Sequence, residues 1–305
     1  MSDHRITELE PIETTTKLDI HERLPKKIFP KVFSFAALVN ENKCLKKLIA
    51  LQVDLSVVQK RKGIAKYLVA CDFEKHIAPH VLFLARLDVE NIGQYLTKNM
   101  DIVLIDLAEL ENRLNYLKSK GFESKDVSRI ISNSRILLMD VESVDEKLGH
   151  LQKMFSLSGK EVREVLTKTP KLMNKPHMLQ LIKENKFHCK EFLGFSHMEL
   201  KTILLDYPGF FMKSPSHLSK IFDYLHNTME IDHKTIVKNC HVFKSRLRFI
   251  QNRHLYLLKV NRAQYDPQRE NFVSFNALVS GTNEEFCANV AKTSLKDYYR
   301  FQESL

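Results

Sequence analysis

The chain has 305 residues, 44% of them hydrophobic and 28% charged, and a formal net charge of +10. That length allows one large domain or two ordinary ones, and no apolar run approaches the ~18–20 residues of a helical membrane span. Only 8 glycines and no tryptophan occur, which speaks against a fold of tight β-hairpins and for an all-α chain.

Residues 1–30 mix acidic groups (Asp3, Glu8, Glu10, Glu13, Asp19, Glu22) with basic ones (Arg5, Lys17, Arg23, Lys26, Lys27). An arginine-rich, acid-poor transit peptide and an apolar-cored secretory signal are both a poor match. The stretch reads as a flexible leader, so any import signal is expected outside this chain. Residues 31–80 are helical in pattern and read as an atypical first unit with its cap.

From residue 81 to 261 the pattern repeats, and repeats decide a fold before local structure does. Counting +3, +10 and +17 from Met100 reaches Val103, Leu110 and Leu117. From Ser134 the same offsets reach Leu137, Val144 and Leu151; from Pro170, Met173, Gln180 and Phe187. From Pro208 they reach Phe211, Leu218 and Leu225, and from Cys240, Phe243, Ile250 and Leu257. Only Gln180 is polar, and Leu179 or Leu181 takes its place if that helix is shifted by one residue. The origins lie 34, 36, 38 and 32 residues apart.

Each unit reads as helix, break, helix. In SGKEVREVLTKTP, Ser158 and Glu161 have the spacing of a capping box, Val162, Val165 and Leu166 form one apolar stripe, and Pro170 ends the helix. SKDVSRIISNS repeats the design with Ser124 as cap, and SHMELKTILLDYP with Ser196 and Glu199, closed by Pro208. At Met100, Ser134 and Cys240 the break has no proline and falls to packing and nearby polar residues. Helices this short bury their stripes only by stacking on neighbouring units. Residues 262–305 read as a C-terminal cap, with a turn at Tyr265–Asp266–Pro267, a loop at Ser280–Gly281–Thr282–Asn283 and a helix from about Glu284.

The charge is uneven. From His233 to Tyr265 there are eight lysines and arginines and no acidic residue. A single-sign stretch attracts polyanions, so Lys238, Lys244, Arg246, Arg248, Arg253 and Arg262 are candidate nucleic-acid contacts. Lys168 and Lys171, flanking Pro170, join them. Lys60, Arg61, Lys62 and Lys66 form a smaller cluster. Phe243 belongs to the apolar series and reads as core, not as a base-stacking ring.

No catalytic constellation emerges. No two glycines lie closer than ten residues, which excludes a P-loop and a dinucleotide fingerprint. His76 and His80 are four apart with Glu74 nearby, but Pro79 interrupts that turn. His188–Cys189 lacks a partner pair. The dispersed cysteines Cys44, Cys71, Cys189, Cys240 and Cys287 form no C-x-x-C and read as free thiols in a reducing compartment. No enzyme activity, metal or cofactor is expected.

The repeat pitch, the prolines of LTKTPKLM and LLDYPGFF, and the +3/+10/+17 series resemble the mitochondrial transcription termination factor (mTERF) family. HNTMEIDHKTIVKNCHVF, RHLYLLKVNRAQYDP, LVSGTNEEFCANVAK and CDFEKHI are similar to its third vertebrate-type branch. The resemblance covers roughly residues 31–305 as a single domain. It implies a curved α-solenoid of mTERF-type helical repeats, a left-handed superhelix bent into a half-ring, each unit holding two α-helices and a 3₁₀ segment around a basic concave face. It further implies a monomer of the mitochondrial matrix that binds mitochondrial DNA or rRNA, represses mitochondrial transcription and supports assembly of the mitochondrial large ribosomal subunit. The competing reading is a helical-repeat scaffold for a protein partner such as a ribosomal protein or an RNA-modifying enzyme.

Overall fold

A short 3₁₀ segment follows every break inferred from sequence: Met100–Leu104, Ile136–Leu138, Pro170–Met173, Pro208–Met212 and Cys240–Lys244. The computed structural model describes residues 35–174 and 177–305, within which all regular structure is helical. The leader expected over residues 1–30 lies outside the described residues.

The breaks have local causes. Pro170 and Pro208 open their segments because proline has no N–H to continue the preceding helix. At the second break, Ser134 Oγ donates to the Ile130 carbonyl at 2.7 Å and accepts from Ile136 N–H at 3.3 Å. At the fifth, Asn239 Nδ2 donates to the Thr235 carbonyl at 2.8 Å. Both side chains compete with the backbone for helical partners, which is how short polar residues end helices.

The chain divides into two compact units at Glu109/Leu110. In the first lie α1 (Phe35–Leu38), α2 (Lys43–Ala50), α3 (Leu55–Val58), α4 (Lys62–Ala70), α5 (Phe73–His76), α6 (Ala78–Arg86) and α7 (Ile92–Asn99). α2 packs on α3, α4 and α5, and α7 on α3 and α6. Gly93 in α7 is buried against the Leu51 and Gln52 backbone, and an added Cβ would collide with the Leu51 carbonyl.

The second unit begins within α8 (Leu107–Ser119). It continues through α9 (Ser124–Asn133), α10 (Val141–Phe155), α11 (Gly159–Lys168), α12 (Met178–Glu191), α13 (His197–Asp206), α14 (Pro215–Asp223), α15 (His233–Lys238) and α16 (Leu247–Lys259). First helices pack on first helices, α9 on α11 on α13 on α15. Second helices do the same, α10 on α12 on α14 on α16. The capping boxes of Ser158/Glu161 and Ser196/Glu199 are both formed. Ser124 is one residue too late for its assigned role: Glu123 occupies the N-cap, without a side-chain bond. α17 (Phe275–Val279), α18 (Asn283–Glu285) and α19 (Leu295–Glu303) close the chain, a π-helical turn over Phe286–Ala291 continuing α18.

The apolar series is buried at thirteen of its fifteen positions, and the two misses fall in the third repeat. Gln180 is exposed and Phe187 is 60% exposed. Ile182 and Cys189, two residues further on, fill their places. Met178 follows Met173 by five positions, whereas Pro215 follows Phe211 by four, so the lead-in to α12 is longer. A one-residue shift to Leu179 or Leu181 does not describe it.

A second periodic feature joins one repeat to the next. Gln52, Asp88, Gly121, Ser156, Gly194, Glu230 and Asn261 all have positive φ and follow a helix end. After each, the next N–H reaches back to a carbonyl in the helix, as in Val53 to Leu48, Leu157 to Gln152 and Arg262 to Leu257. This is the Schellman closure, which satisfies carbonyls at a helix C-terminus. The residue after the turn is buried in most joints (Val53, Val89, Phe122, Leu157, Phe195, Ile231), pinning the chain before the next cap.

Candidate nucleic-acid interface

Within the second unit the break segments lie beside one another. Arg135 N–H donates to Asn174 Oδ1 at 2.9 Å, linking the second break to the third. Lys168 Nζ donates to the Leu205 carbonyl at the end of α13, and Pro208–Met212 packs on Cys240–Lys244. Lys244 Nζ stands 4.8 Å from the centroid of the Tyr207 ring. Side chains on successive breaks therefore share one row.

Most of the predicted cations stand in or beside these breaks: Lys171 and Lys244 in the third and fifth 3₁₀ segments, Lys168 and Lys238 at the ends of α11 and α15, and Arg246 and Arg248 at the start of α16. Lys168 is exposed and paired with Glu164 at 2.8 Å. Lys171, Lys238, Lys244, Arg246 and Arg248 are exposed, with no carboxylate at ion-pair distance among the described residues. Lys213, half-buried after the fourth break, extends the row although it lies outside the basic run. The repeat register carries its signal: it stands five residues after Pro208, as Ser245 does after Cys240, next to Lys244 and Arg246.

Arg246 occupies the N-cap of α16 without a side-chain capping bond, and the first turn holds no acid. The matching helices α10 and α14 are capped by Asp140 and Ser214. The leading N–H groups of α16 thus remain for solvent or an anion, beside the guanidinium groups of Arg246 and Arg248.

Two predicted contacts are corrected. Arg253 is fully buried: Nη1 donates to the carbonyls of Leu278 (3.0 Å) and Ser280 (2.7 Å), and Nη2 to those of Gly281 and Thr282 (3.0 Å each). Its guanidinium lies between the rings of Phe249 and Phe286, at 4.1 and 4.5 Å from their centroids. Burial lowers its pKa from the ordinary arginine value. Arg262 is half-buried, with Nε donating to the Val290 carbonyl at 3.1 Å and Nη2 facing Asn271. Both hold the C-terminal cap instead of facing outward. Arg61 of the smaller cluster is likewise engaged, by Asp101 at 2.8 Å and the Lys98 carbonyl.

Arg253 belongs to a recurring brace. Thirteen residues after Met100, Arg113 donates to the Leu137 carbonyl of the next break at 2.8 Å. Asn185, its equivalent after the third repeat's shift, is fully buried and donates to Phe211 and Lys213 carbonyls at 2.8 and 2.7 Å. In the fourth repeat His217 serves, its Nε2 being 2.9 Å from the Phe243 carbonyl. Thirteen residues after Cys240 comes Arg253. Of these braces only Arg113 and Arg253 stand at that offset; His217 stands nine residues after Pro208, and Lys147, thirteen after Ser134, reaches Met139 Sδ instead, so the offset alone does not mark a brace in sequence.

Among the described residues one serine–histidine contact is present, Ser219 Oγ lying 2.6 Å from His188 Nε2, the imidazole being stacked on Phe192. His80 is buried with its ring nitrogens on the His76 and Ile105 carbonyls, and His76 is exposed. The small, partly open cleft lined by Arg113, Tyr116, Leu117 and Ile136 has room for about 10 Å³, the scale of a single water molecule. Among the described residues one cluster of metal-ligating types is present, Asp206, Cys240 and His241, with all three ligand atoms within 4.8 Å of one another.

Comparison with known proteins agrees with the repeat architecture. The family model for mTERF matches residues 14–287. The Drosophila melanogaster protein named "Transcription termination factor 3, mitochondrial" is 35% identical over 272 residues, covering 88% of this chain and 76% of that protein. The Mus musculus protein of the same name is 39% identical over 276 residues, covering 90% and 66%. That of Rattus norvegicus is 35% identical over 303 residues, covering 98% and 73%.

Proposed function

The chain belongs to the mTERF family, and on that premise we propose that it is a non-catalytic nucleic-acid-binding protein of the mitochondrial matrix. The observation that carries this reading is the set of exposed cations without a carboxylate at ion-pair distance among the described residues, Lys171 at the third break and Lys238, Lys244, Arg246 and Arg248 around the fifth. Such a concentration of positive charge suits a phosphate backbone. Lys168 and Lys213 flank the same path. Phe243 is fully buried and the half-buried Tyr207 ring is already taken by Lys244 and His241, so affinity rests on phosphate contacts and weak sequence preference follows.

The biological role proposed is regulation of mitochondrial transcription, in the sense of repression, together with support of large ribosomal subunit assembly through rRNA. The protein named in the comparisons is a mitochondrial transcription termination factor in each of the three animals. A monomer suffices for such binding. A scaffold for a protein partner is the second reading, favoured by Phe187 and Phe192, which are 60% and 70% exposed on and beside α12.

Titration of duplex DNA, structured RNA and single strands at two salt concentrations tests the proposal. Binding that weakens steeply with salt supports it. No binding to any of the three near physiological salt would leave the scaffold reading in its place.

A further inference from the structure

We propose that Asp206, Cys240 and His241 form a binding site for a single divalent transition-metal ion, zinc by the chemistry of the donors. Asp206 Oδ2 lies 3.0 Å from His241 Nδ1 and 3.2 Å from Cys240 Sγ. The third edge of this triangle is no longer than 4.8 Å. Zinc bonds of about 2.0–2.3 Å put neighbouring donors of a tetrahedron roughly 3.3–3.8 Å apart. An ion at the centre would spread the two short edges slightly, within the reach of side-chain rotation.

The donor set selects the metal. A thiol with an imidazole and one carboxylate suits zinc and disfavours magnesium or calcium, which take oxygen ligands. Three protein donors leave a fourth position for water.

The supporting frame is rigid where it needs to be. Cys240 is fully buried, and it and His241 open the fifth 3₁₀ segment. The His241 ring stacks on Tyr207, with centroids 5.4 Å apart and planes at 27°, which fixes the imidazole plane. Asp206 ends α13, where the peptide dipoles present their negative end to a cation. Two cations oppose the ion: Lys244 over Tyr207, and Lys168 at the Leu205 carbonyl. Both are exposed and can swing away. Burial, with Asp206 adding to it, pushes the Cys240 thiol well above its ordinary value. Binding therefore replaces the S–H bond with a metal–sulfur bond and releases that proton to solvent. The ion would staple the end of one repeat's first helix to the break of the next.

The test uses the full chain with cobalt(II) alone as a spectroscopic probe, and zinc as its competitor. The expected result is one equivalent of cobalt with a thiolate charge-transfer band that zinc abolishes, and a rise of several degrees in melting temperature with zinc. Cys240→Ser should lose the band. Should that variant fold poorly, His241→Ala, at an exposed position, should leave the metal-free melting temperature unchanged while weakening cobalt binding at least tenfold. The proposal is overturned if no charge-transfer band forms, or if the band survives in His241→Ala and vanishes in Cys44→Ser, which would put the metal at the Cys44–Cys71 pair. Under either result the trio is only a pair of hydrogen bonds to one carboxylate oxygen.

Discussion

Arg253 reaches from α16 to the Leu278 carbonyl at 3.0 Å, so the last repeat is tied to the C-terminal cap by a buried guanidinium. Replacing it by alanine strands several carbonyls and removes a side chain packed between two rings. The expected loss is about 3 kcal/mol or more, measured by urea denaturation. Lysine should restore little, because it lacks the planar fork that serves four acceptors. A stable Arg253→Ala variant with weakened nucleic-acid binding would contradict the structural assignment.

The exposed cations should behave in the opposite way. Single alanine replacements of Lys171, Lys244, Arg246 or Arg248 are expected to change stability by no more than about 0.5 kcal/mol. Each should weaken nucleic-acid binding and reduce the slope of log K against log salt by about 0.7–0.9 for every phosphate left without its cation. Anisotropy titrations across a salt series, paired with thermal melts of the same proteins, check both halves.

The inter-repeat turns offer a stabilising change. Glu230 has φ 56, in a region that costs a residue with a Cβ about 1–2 kcal/mol. Glu230→Gly should raise the unfolding free energy by roughly 1 kcal/mol once glycine's greater unfolded-state freedom is deducted. Gly121→Ala should lower it by a similar amount, its φ being 79. Equilibrium denaturation of both variants decides whether the turns carry this strain.

In the first unit, Gly93→Ala places a methyl group into the Leu51 carbonyl. The expected cost is about 3 kcal/mol, at the upper end for overpacking. Hydrogen exchange should report loosening of residues in α2 and α7 before those of the second unit.

Stability should fall in acid. Glu161 is held below the usual 4.5 by the Ser158 N–H and then by Lys201, and Asp232 below the usual 3.8 by the Thr235 hydroxyl and N–H. A folded-state pKa below the unfolded one gives stability that is full above the unfolded value and lost as pH falls through the folded one. Unfolding free energy should begin to decline below about pH 6.5, where unfolding frees His254 to take a proton that its burial disfavours in the fold, and should decline further below about 4.5 as the carboxylates are protonated. Urea midpoints measured across that range, with Asp232→Asn reducing the decline, test the sign.

Much of this architecture is legible in the sequence because its causes are local. Proline at 170 and 208, and Ser158 with Glu161, act through the neighbouring backbone, so a linear reading finds them. The third repeat escapes such a reading because burial depends on how α12 is set: it begins one residue later after its break than α14 does, and its buried positions fall two residues later, at Ile182 and Cys189. The basic run from His233 to Tyr265 is legible as charge but not as surface. Arg246 and Arg253 look alike in sequence; only the carbonyls of residues 278–282, some 25 positions away, separate an outward cation from a structural one.

The carbonyl brace has a direction. In four of the five repeats a second-helix side chain secures the segment that follows, α8 the second break, α12 the fourth, α14 the fifth and α16 the cap, whereas Lys147 of α10 faces Met139 at its own break. Inserting a whole repeat between two others would keep every donor supplied with acceptors. Trimming the chain ahead of Leu278 would instead remove Phe286 together with the carbonyls and leave the guanidinium against Phe249 alone, without its four acceptors. Growth in the middle is tolerable for this protein, and shortening from the C-terminus is not.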